Sequence, residues 1–598
     1  MFLFILHQIS TTRNMKKNIY YLIALFFITA FFSKQVSAQG TWIPVTNLSP
    51  DTNVGVMLLL SDGTVMAKTL ACACDTVGNV WNKLTPDSTG SYINGTWSRL
   101  APMHDTRLYF ASQVLKDGRV FVAGGEYGSG GSKAETYNPL TDTWTMAPNL
   151  NKYFGDANSE ILNDGRVLVG TLNGVGANTS IFNPVTNTWS NGPTCHNSHD
   201  EAAWVKLKDN SILFVDIGDV TSERYIPYLN QWVVDANVPD SLYDPFSYES
   251  GASFLLPDGR AFFFGATGHN AYYTPSGSSS PGTWAAGPDF PTIHDTLYGT
   301  VDAAGAMMVN GKILCSASPV NTSTVNEYQA PTAFFEFDYL SNSFTQIIVP
   351  NGDSLDHSIT CFETTMLDLP DGTVLYVSQY TQQYYVYTPD GTPLAAGKPT
   401  INKITQLNCD TFKIAGTLFN GISEGAAYGD DWQMATNYPV IRLTNGTKTW
   451  YARTFNWSST NVQTGTAPDS TLFTLPTGLP YGTYSLVVTA NGIASDPISF
   501  VNGACTIGIK KNEIITNNLS VYPNPANEQV TIAFTAKEGG NYSLQLLDVF
   551  GRIIKQVTAQ STTGDNNYML NINGIAAGAY VIVFQKGEEL SKTRIIIK

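Results

Sequence analysis

Apolar and polar residues alternate in short runs along most of this chain, the period-two pattern of half-buried strands, and the runs come in pairs joined by tight turns. The turns are Asp62-Gly63, Asp117-Gly118, Asp164-Gly165, Asp209-Asn210, Asp258-Gly259, Asn310-Gly311 and Asp371-Gly372. Asp-Gly and Asn-Gly pairs tolerate the positive φ values of a type I′ turn, so each predicts a hairpin. Most repeats add a third run ending in a Tyr/Phe-x-Pro turn and a fourth carrying an aromatic: Trp97, Trp144, Trp189, Trp232, Trp284, then Phe344.

Successive turns lie 55, 47, 45, 49, 52 and 61 residues apart, the unit length of a propeller blade with loop insertions. Seven turns predict seven blades, with the aromatics filling the space between neighbouring sheets. The seventh repeat, from Phe362, lacks an aromatic fourth run before Lys398, whereas Thr41-Trp42-Ile43-Pro44-Val45 has that character. This segment is expected to complete blade seven and close the ring, which removes an exposed sheet edge. The repeat ends at Pro399, and alternating runs up to Asn502 predict a β-sandwich. A polar linker at 507–518 precedes a last β-rich segment, 519–598. The expected organisation is a leader (1–38), the ring (39–398), a sandwich (399–506), the linker and a terminal domain.

The leader is read from Lys16 and Lys17, the apolar stretch Ile19 to Phe32, and Val36-Ser37-Ala38 before Gln39. A basic start, an apolar run and small residues at a cleavage site make an export signal, cut between Ala38 and Gln39. Its 14 apolar-run residues fall short of the ~20 that span a bilayer, so no membrane anchor is expected. Met1 and Met15 are both candidate starts. Charged residues are only 14% of the chain, and the net charge is −15. With four basic residues and no acids in the leader, the remainder carries about −19, which disfavours nucleic-acid partners and suits an extracellular protein. Of seven cysteines, Cys409 and Cys505 bracket the sandwich, where a disulfide formed outside the cytosol would clamp its two ends.

The repeat around Arg107 to Pro148, with Gly124-Gly125, Tyr137-Asn138-Pro139 and Asp142-Thr143-Trp144, resembles a kelch repeat, and the likeness extends over 41–398. A kelch ring followed by a sandwich resembles the galactose oxidase superfamily, whose ring precedes an early-set immunoglobulin-like domain. The terminal segment opens with Tyr522-Pro523-Asn524-Pro525, continues through Leu547-Asp548-Val549-Phe550-Gly551-Arg552 and Gly578-Ala579-Tyr580, and ends on a basic-apolar tail. It resembles the type A sorting domain of the type IX secretion system. Together these imply an all-β chain, a seven-bladed kelch-type β-propeller followed by two immunoglobulin-like β-sandwich domains. The resemblance further implies passage through a Gram-negative outer membrane by the type IX machinery, removal of the terminal domain, and release or surface attachment.

The galactose oxidase resemblance also implies a copper site built from two tyrosines and two histidines, with one tyrosine crosslinked to cysteine. Tyr137 matches the crosslinked tyrosine, but Leu108-Tyr109-Phe110-Ala111-Ser112 holds no cysteine. Phe362-Glu363 stand where a Tyr-His pair belongs, and the last histidine, His357, precedes the sandwich. Phe offers copper no ligand atom, so copper is not expected, and no residue is assigned as a metal ligand. Acids recur near the blade starts: Asp156, Glu160, Asp200, Glu201, Glu249, Asp302 and Glu363, with His199 beside two of them. They fit Ca²⁺ or sugar hydroxyls at the ring mouth, and equally fit backbone N–H groups at turns. The tyrosines from Tyr380 to Tyr387 suit a sugar-stacking face or packing between blades. The expected function is an exported binding protein for extracellular carbohydrate or protein. The alternative is an enzyme of the same superfamily with altered chemistry.

Overall fold

The computed structural model describes residues 39–70, 77–155, 158–171, 178–197, 202–216, 218–428, 436–503, 519–548, 552–586 and 589–598. The leader with Ala38, the linker, and Asp156, His199, Asp200, Glu201, Cys505 and Gly551 lie outside them. The chain divides into two compact units, up to Gly503 and from Ala504.

Among the described residues, the first unit contains seven antiparallel meander sheets. Their innermost strands are Thr52–Leu59, Ala111–Val114, Ser159–Ile161, Trp204–Lys206, Ser253–Leu255, Ala304–Met307 and Thr364–Asp368. Thr41–Pro44 is the outer strand of the seventh sheet, with Trp42 opposite Tyr387, so this segment completes blade seven as expected. Outer aromatics reach back to the preceding blade. The Trp42 ring lies 5.5 Å from Phe334, Trp97 4.7 Å from Tyr384, and Trp144 6.2 Å from Trp81. Their indole N–H groups donate to the carbonyls of Ile348, Asn47 and Ala101. In these three blades the aromatic thereby supplies both apolar area and a directional bond across the gap.

The hairpin turns differ from the expected type I′ geometry. In the first, Gly63 N–H donates to Leu60 O and Leu60 N–H to Thr64 O, while only Gly63, not Asp62, has positive φ. This is a three-residue loop with a left-handed residue at its end. Asp62 serves through its side chain, accepting the Thr64 N–H at 3.0 Å. Asp117, Asp164, Asp209, Asp258 and Asn310 accept the equivalent N–H in their own turns. In blade four the left-handed position falls to Asn210, φ 66°.

The sandwich belongs to the same compact unit as the ring. Its strands run from Thr400–Gln406 to Ile498–Asn502 around Ile414, Leu443, Phe473 and Leu486. The ring's hairpin turns face it: a Cβ on Gly63 would stand 2.4 Å from the Tyr451 ring, and one on Gly118 2.8 Å from Arg453. One sandwich segment enters the ring itself. Ala426–Tyr428 pairs with the innermost strand of blade six, Gly305 opposite Ala427, and Glu424 N–H donates to Leu255 O of blade five. Cys409 is disulfide-bonded, its partner lying outside the described residues.

The second unit is a small sandwich of a three-stranded and a four-stranded sheet around Ile532, Phe534, Leu544, Ile582 and Ile595. Asn524 binds the last strand at both ends of its amide, donating to Arg594 O and accepting from Ile596 N–H, 2.9 Å each. Asp548 accepts the Arg552 N–H and guanidinium across the central turn. Tyr580, in the strand Gly578–Lys586, donates to Ala576 O. Asn524, Arg552 and Tyr580 are motif positions, as are Tyr522, Pro523, Pro525 and Gly578, and the Asn524 bonds tie the opening motif to the last strand.

Candidate functional site at the ring mouth

The hairpin turns and the sandwich occupy one face of the ring, so the loops that lead into the innermost strands form the opposite mouth. Blades five to seven bring several side chains together there. The Tyr328 hydroxyl donates to Glu249 Oε1 at 2.9 Å, and its ring meets Phe362 edge-on with centroids 5.0 Å apart. Burial, followed by the negative charges of Glu249 and Asp302, pushes the Tyr328 phenol far above its ordinary pKa. It therefore stays a neutral hydrogen-bond donor. Glu363 accepts the Thr360 N–H at 3.1 Å as part of a capping box. Burial raises the Glu363 carboxyl, with Asp356 adding to the effect. Exposed Tyr380 stands near it, its phenol raised by burial and by the Glu363 charge.

Tyrosines continue round the rim. The Tyr109 and Tyr127 rings lie 6.2 Å apart, and Tyr153 donates to Glu126 O. Four rim tyrosines have left-handed backbone: Tyr109 (φ 49°), Tyr248 (63°), Tyr328 (49°) and Tyr380 (62°). Asp302 shares that conformation at φ 50°. Tyr109, Tyr248 and Tyr328 were not visible as site residues from sequence, because the signal is a backbone conformation and no spacing encodes it.

Two expected mouth residues lie elsewhere. Tyr137 is buried between blades, its ring 5.1 Å from Trp144 and its hydroxyl donating to Asp142 Oδ1 at 2.8 Å. It is a packing residue in a blade's third strand. Glu160 is in an innermost strand but near the sandwich, where Lys206 Nζ donates to its Oε1 at 2.8 Å. Beside them is Glu424 of the segment that enters the ring. The three line a cavity of about 30 Å³ with Tyr438 and Trp457, room for about two waters. Burial, then the charge of Glu160, pushes the Glu424 carboxyl up to about 8, with Lys206 pulling the other way.

The ligand set implied by the copper resemblance does not assemble from the described residues. Tyr137 is committed to Asp142, Phe362 packs on Tyr328 without a ligand atom, and Cys361 Sγ faces Val301 O at 3.2 Å. His104 and His196 repeat one arrangement, each bound to a buried glutamate, Glu135 and Glu223, of its own blade. Among the described residues no three His, Cys, Asp or Glu side chains converge as a metal site.

Comparison with known proteins identifies two parts of the chain. Residues 520–598 match the secretion system C-terminal sorting domain, and residues 108–151 match the Kelch motif. The chain is a β-propeller protein with a kelch repeat and a type IX sorting tail. That tail directs it to the cell surface or the extracellular space and implies contact with the type IX machinery. No curated protein matches it. Among solved structures, a fungal alcohol oxidase of the AA5 family in complex with copper is 14% identical, covering 78% of this chain and 100% of that one, with TM-score 0.48. A streptogramin B lyase (13% identical, 59% and 98% covered, TM-score 0.40) and an inactive virginiamycin B lyase from Staphylococcus aureus (11%, 59% and 99%, TM-score 0.40) also align. Among the described residues no helix is long and apolar enough to cross a membrane.

Proposed function

We propose that this is a secreted or outer-membrane-surface binding protein of a Gram-negative bacterium whose propeller mouth engages extracellular carbohydrate. One observation carries the reading: four tyrosines with left-handed backbone around a single rim. That conformation costs a bulky residue on the order of 1 kcal/mol or more, and strain repeated at one rim points to a use for the rings it orients. The exposed rings of Tyr248 and Tyr380 supply flat apolar platforms, and Glu249, Asp302 and Glu363 supply acceptors for hydroxyl groups. Copper-radical chemistry is no part of this reading, since Tyr137 and Phe362 cannot serve it.

A second reading, an enzyme of altered chemistry, is favoured by the raised carboxyl of Glu363, the direction a general acid requires. A glycan array with the purified chain, run beside peroxide and reducing-sugar assays, separates the two. Binding without turnover is expected. Turnover without lectin-like binding would reverse the order, and selective capture of a protein would replace carbohydrate as the ligand.

A further inference from the structure

A built cleft of the first unit lies away from the mouth, where the sandwich strand Lys448–Phe455 crosses the hairpin-turn face of blades one and two. Its volume is about 540 Å³, within the range of small-ligand sites. Its floor is fixed from both sides. Thr449 N–H donates to Ser88 O at 2.9 Å and Thr454 N–H to Ser61 O at 3.2 Å, and Ser61 Oγ donates to Thr454 O at 2.7 Å. Tyr451 presses on Gly63, which no residue with a Cβ could replace without displacing the ring. The cleft is therefore preformed, and a ligand entering it need not order the walls.

The lining is amphipathic and balanced in charge. Tyr451, Trp450, Pro86 and the exposed Leu140 give apolar surface, while Asp62 and Asp87 stand with Lys448 and Arg453. Asp62 Oδ1 is taken by Thr64, whereas Asp62 Oδ2, Lys448 Nζ and the Thr477 hydroxyl bond no described residue. An anion would meet two carboxylates, and a cation would meet an ammonium and a guanidinium. A wholly apolar ligand would strip water from donors and acceptors without replacing their bonds. Mixed donors and acceptors beside apolar surface suit a neutral molecule dense in hydroxyls, with C–H faces that can lie on aromatic and proline surface.

We infer that this cleft between ring and sandwich is a binding site for a neutral oligosaccharide, separate from the mouth and independent of the reading given to it. The test is calorimetric titration of the full chain with maltohexaose, cellohexaose, xylohexaose, mannohexaose and laminarihexaose, compared with polygalacturonate and oligolysine. Thr477→Trp fills the cleft from its exposed rim, Lys448→Ala removes a donor without touching the core, and Tyr380→Ala alters only the mouth. At least one neutral hexasaccharide should bind, at least tenfold more weakly to Thr477→Trp and several-fold more weakly to Lys448→Ala. That component should survive Tyr380→Ala, with all three variants melting like the parent. The inference is overturned if no neutral hexasaccharide binds, if only a charged polymer binds, or if binding disappears with Tyr380→Ala and persists in Thr477→Trp.

Discussion

Replacing Glu424 by Gln tests whether the sandwich segment inside the ring is held in a proton-dependent way. Glu424 is buried with Glu160 and Lys206, so at high pH two carboxylates share one ammonium. Its carboxyl rises from an ordinary 4.5 to about 8. Between these values the folded chain holds a proton that the unfolded chain has released. Stability therefore falls as pH rises through the window and levels off above it. At about 1.4 kcal/mol per pH unit the loss is capped near 5 kcal/mol, and relaxation around the cavity brings the expected figure to roughly 3–5 kcal/mol. Gln matches the protonated side chain and has no charge to bury. Urea unfolding followed by tryptophan fluorescence should find Glu424→Gln within about 1 kcal/mol of the parent at pH 5, because both side chains are then neutral in the folded chain. At pH 9 the variant should be the more stable by roughly 3–5 kcal/mol. Parallel stability of the two proteins from pH 5 to 9, or a variant weaker at pH 9, would refute the argument.

Further outcomes follow from the sequence and the geometry. Trp42→Ala removes aromatic contacts to Phe334, Tyr376 and Tyr387 and the bond to Ile348 O. It should cost about 2–4 kcal/mol in denaturant unfolding, while deletion of Thr41 to Val45 should expose the seventh sheet's edge and give aggregates by light scattering. Protein purified with excess Cu²⁺ should show neither stoichiometric tight copper by elemental analysis nor peroxide production with galactose. Tyr137→Phe should lose only its bond to Asp142, about 1 kcal/mol of stability, and leave ligand binding unchanged. Mass spectrometry of the extracellular fraction should find a chain that starts at Gln39 and lacks the domain from Leu519; an intact Lys598 there would count against processing of the tail.

The ring was legible because its determinants are local. An Asp or Asn followed by a left-handed Gly or Asn makes each turn, and one aromatic per outer strand packs each gap, so both repeat at blade spacing. The type I′ expectation failed for a reason equally local: the Asp contributes its carboxylate to the loop N–H, a role that composition does not distinguish from tolerance of positive φ. The site was less visible. Glu160 and Glu249 both stand near a blade start, yet one faces Lys206 and the other Tyr328, because a few residues of advance along an innermost strand move a side chain from one end of the ring toward the other. Ala426–Tyr428 has no strand-like alternation, and its place beside Gly305 depends on partners over a hundred residues distant. Sequence therefore offered no warning that Glu424 would meet Glu160.

The central claim, that the mouth is a carbohydrate-binding site built on oriented tyrosines, is tested most directly by calorimetry with the strongest glycan-array ligand. Tyr380 is exposed and Glu249 is held by Tyr328, so Tyr380→Ala and Glu249→Gln alter the rim without opening the ring. Each should weaken binding at least tenfold, about 1.4 kcal/mol or more, with the melting temperature nearly unchanged. Undiminished affinity in both variants would contradict the assignment of the mouth.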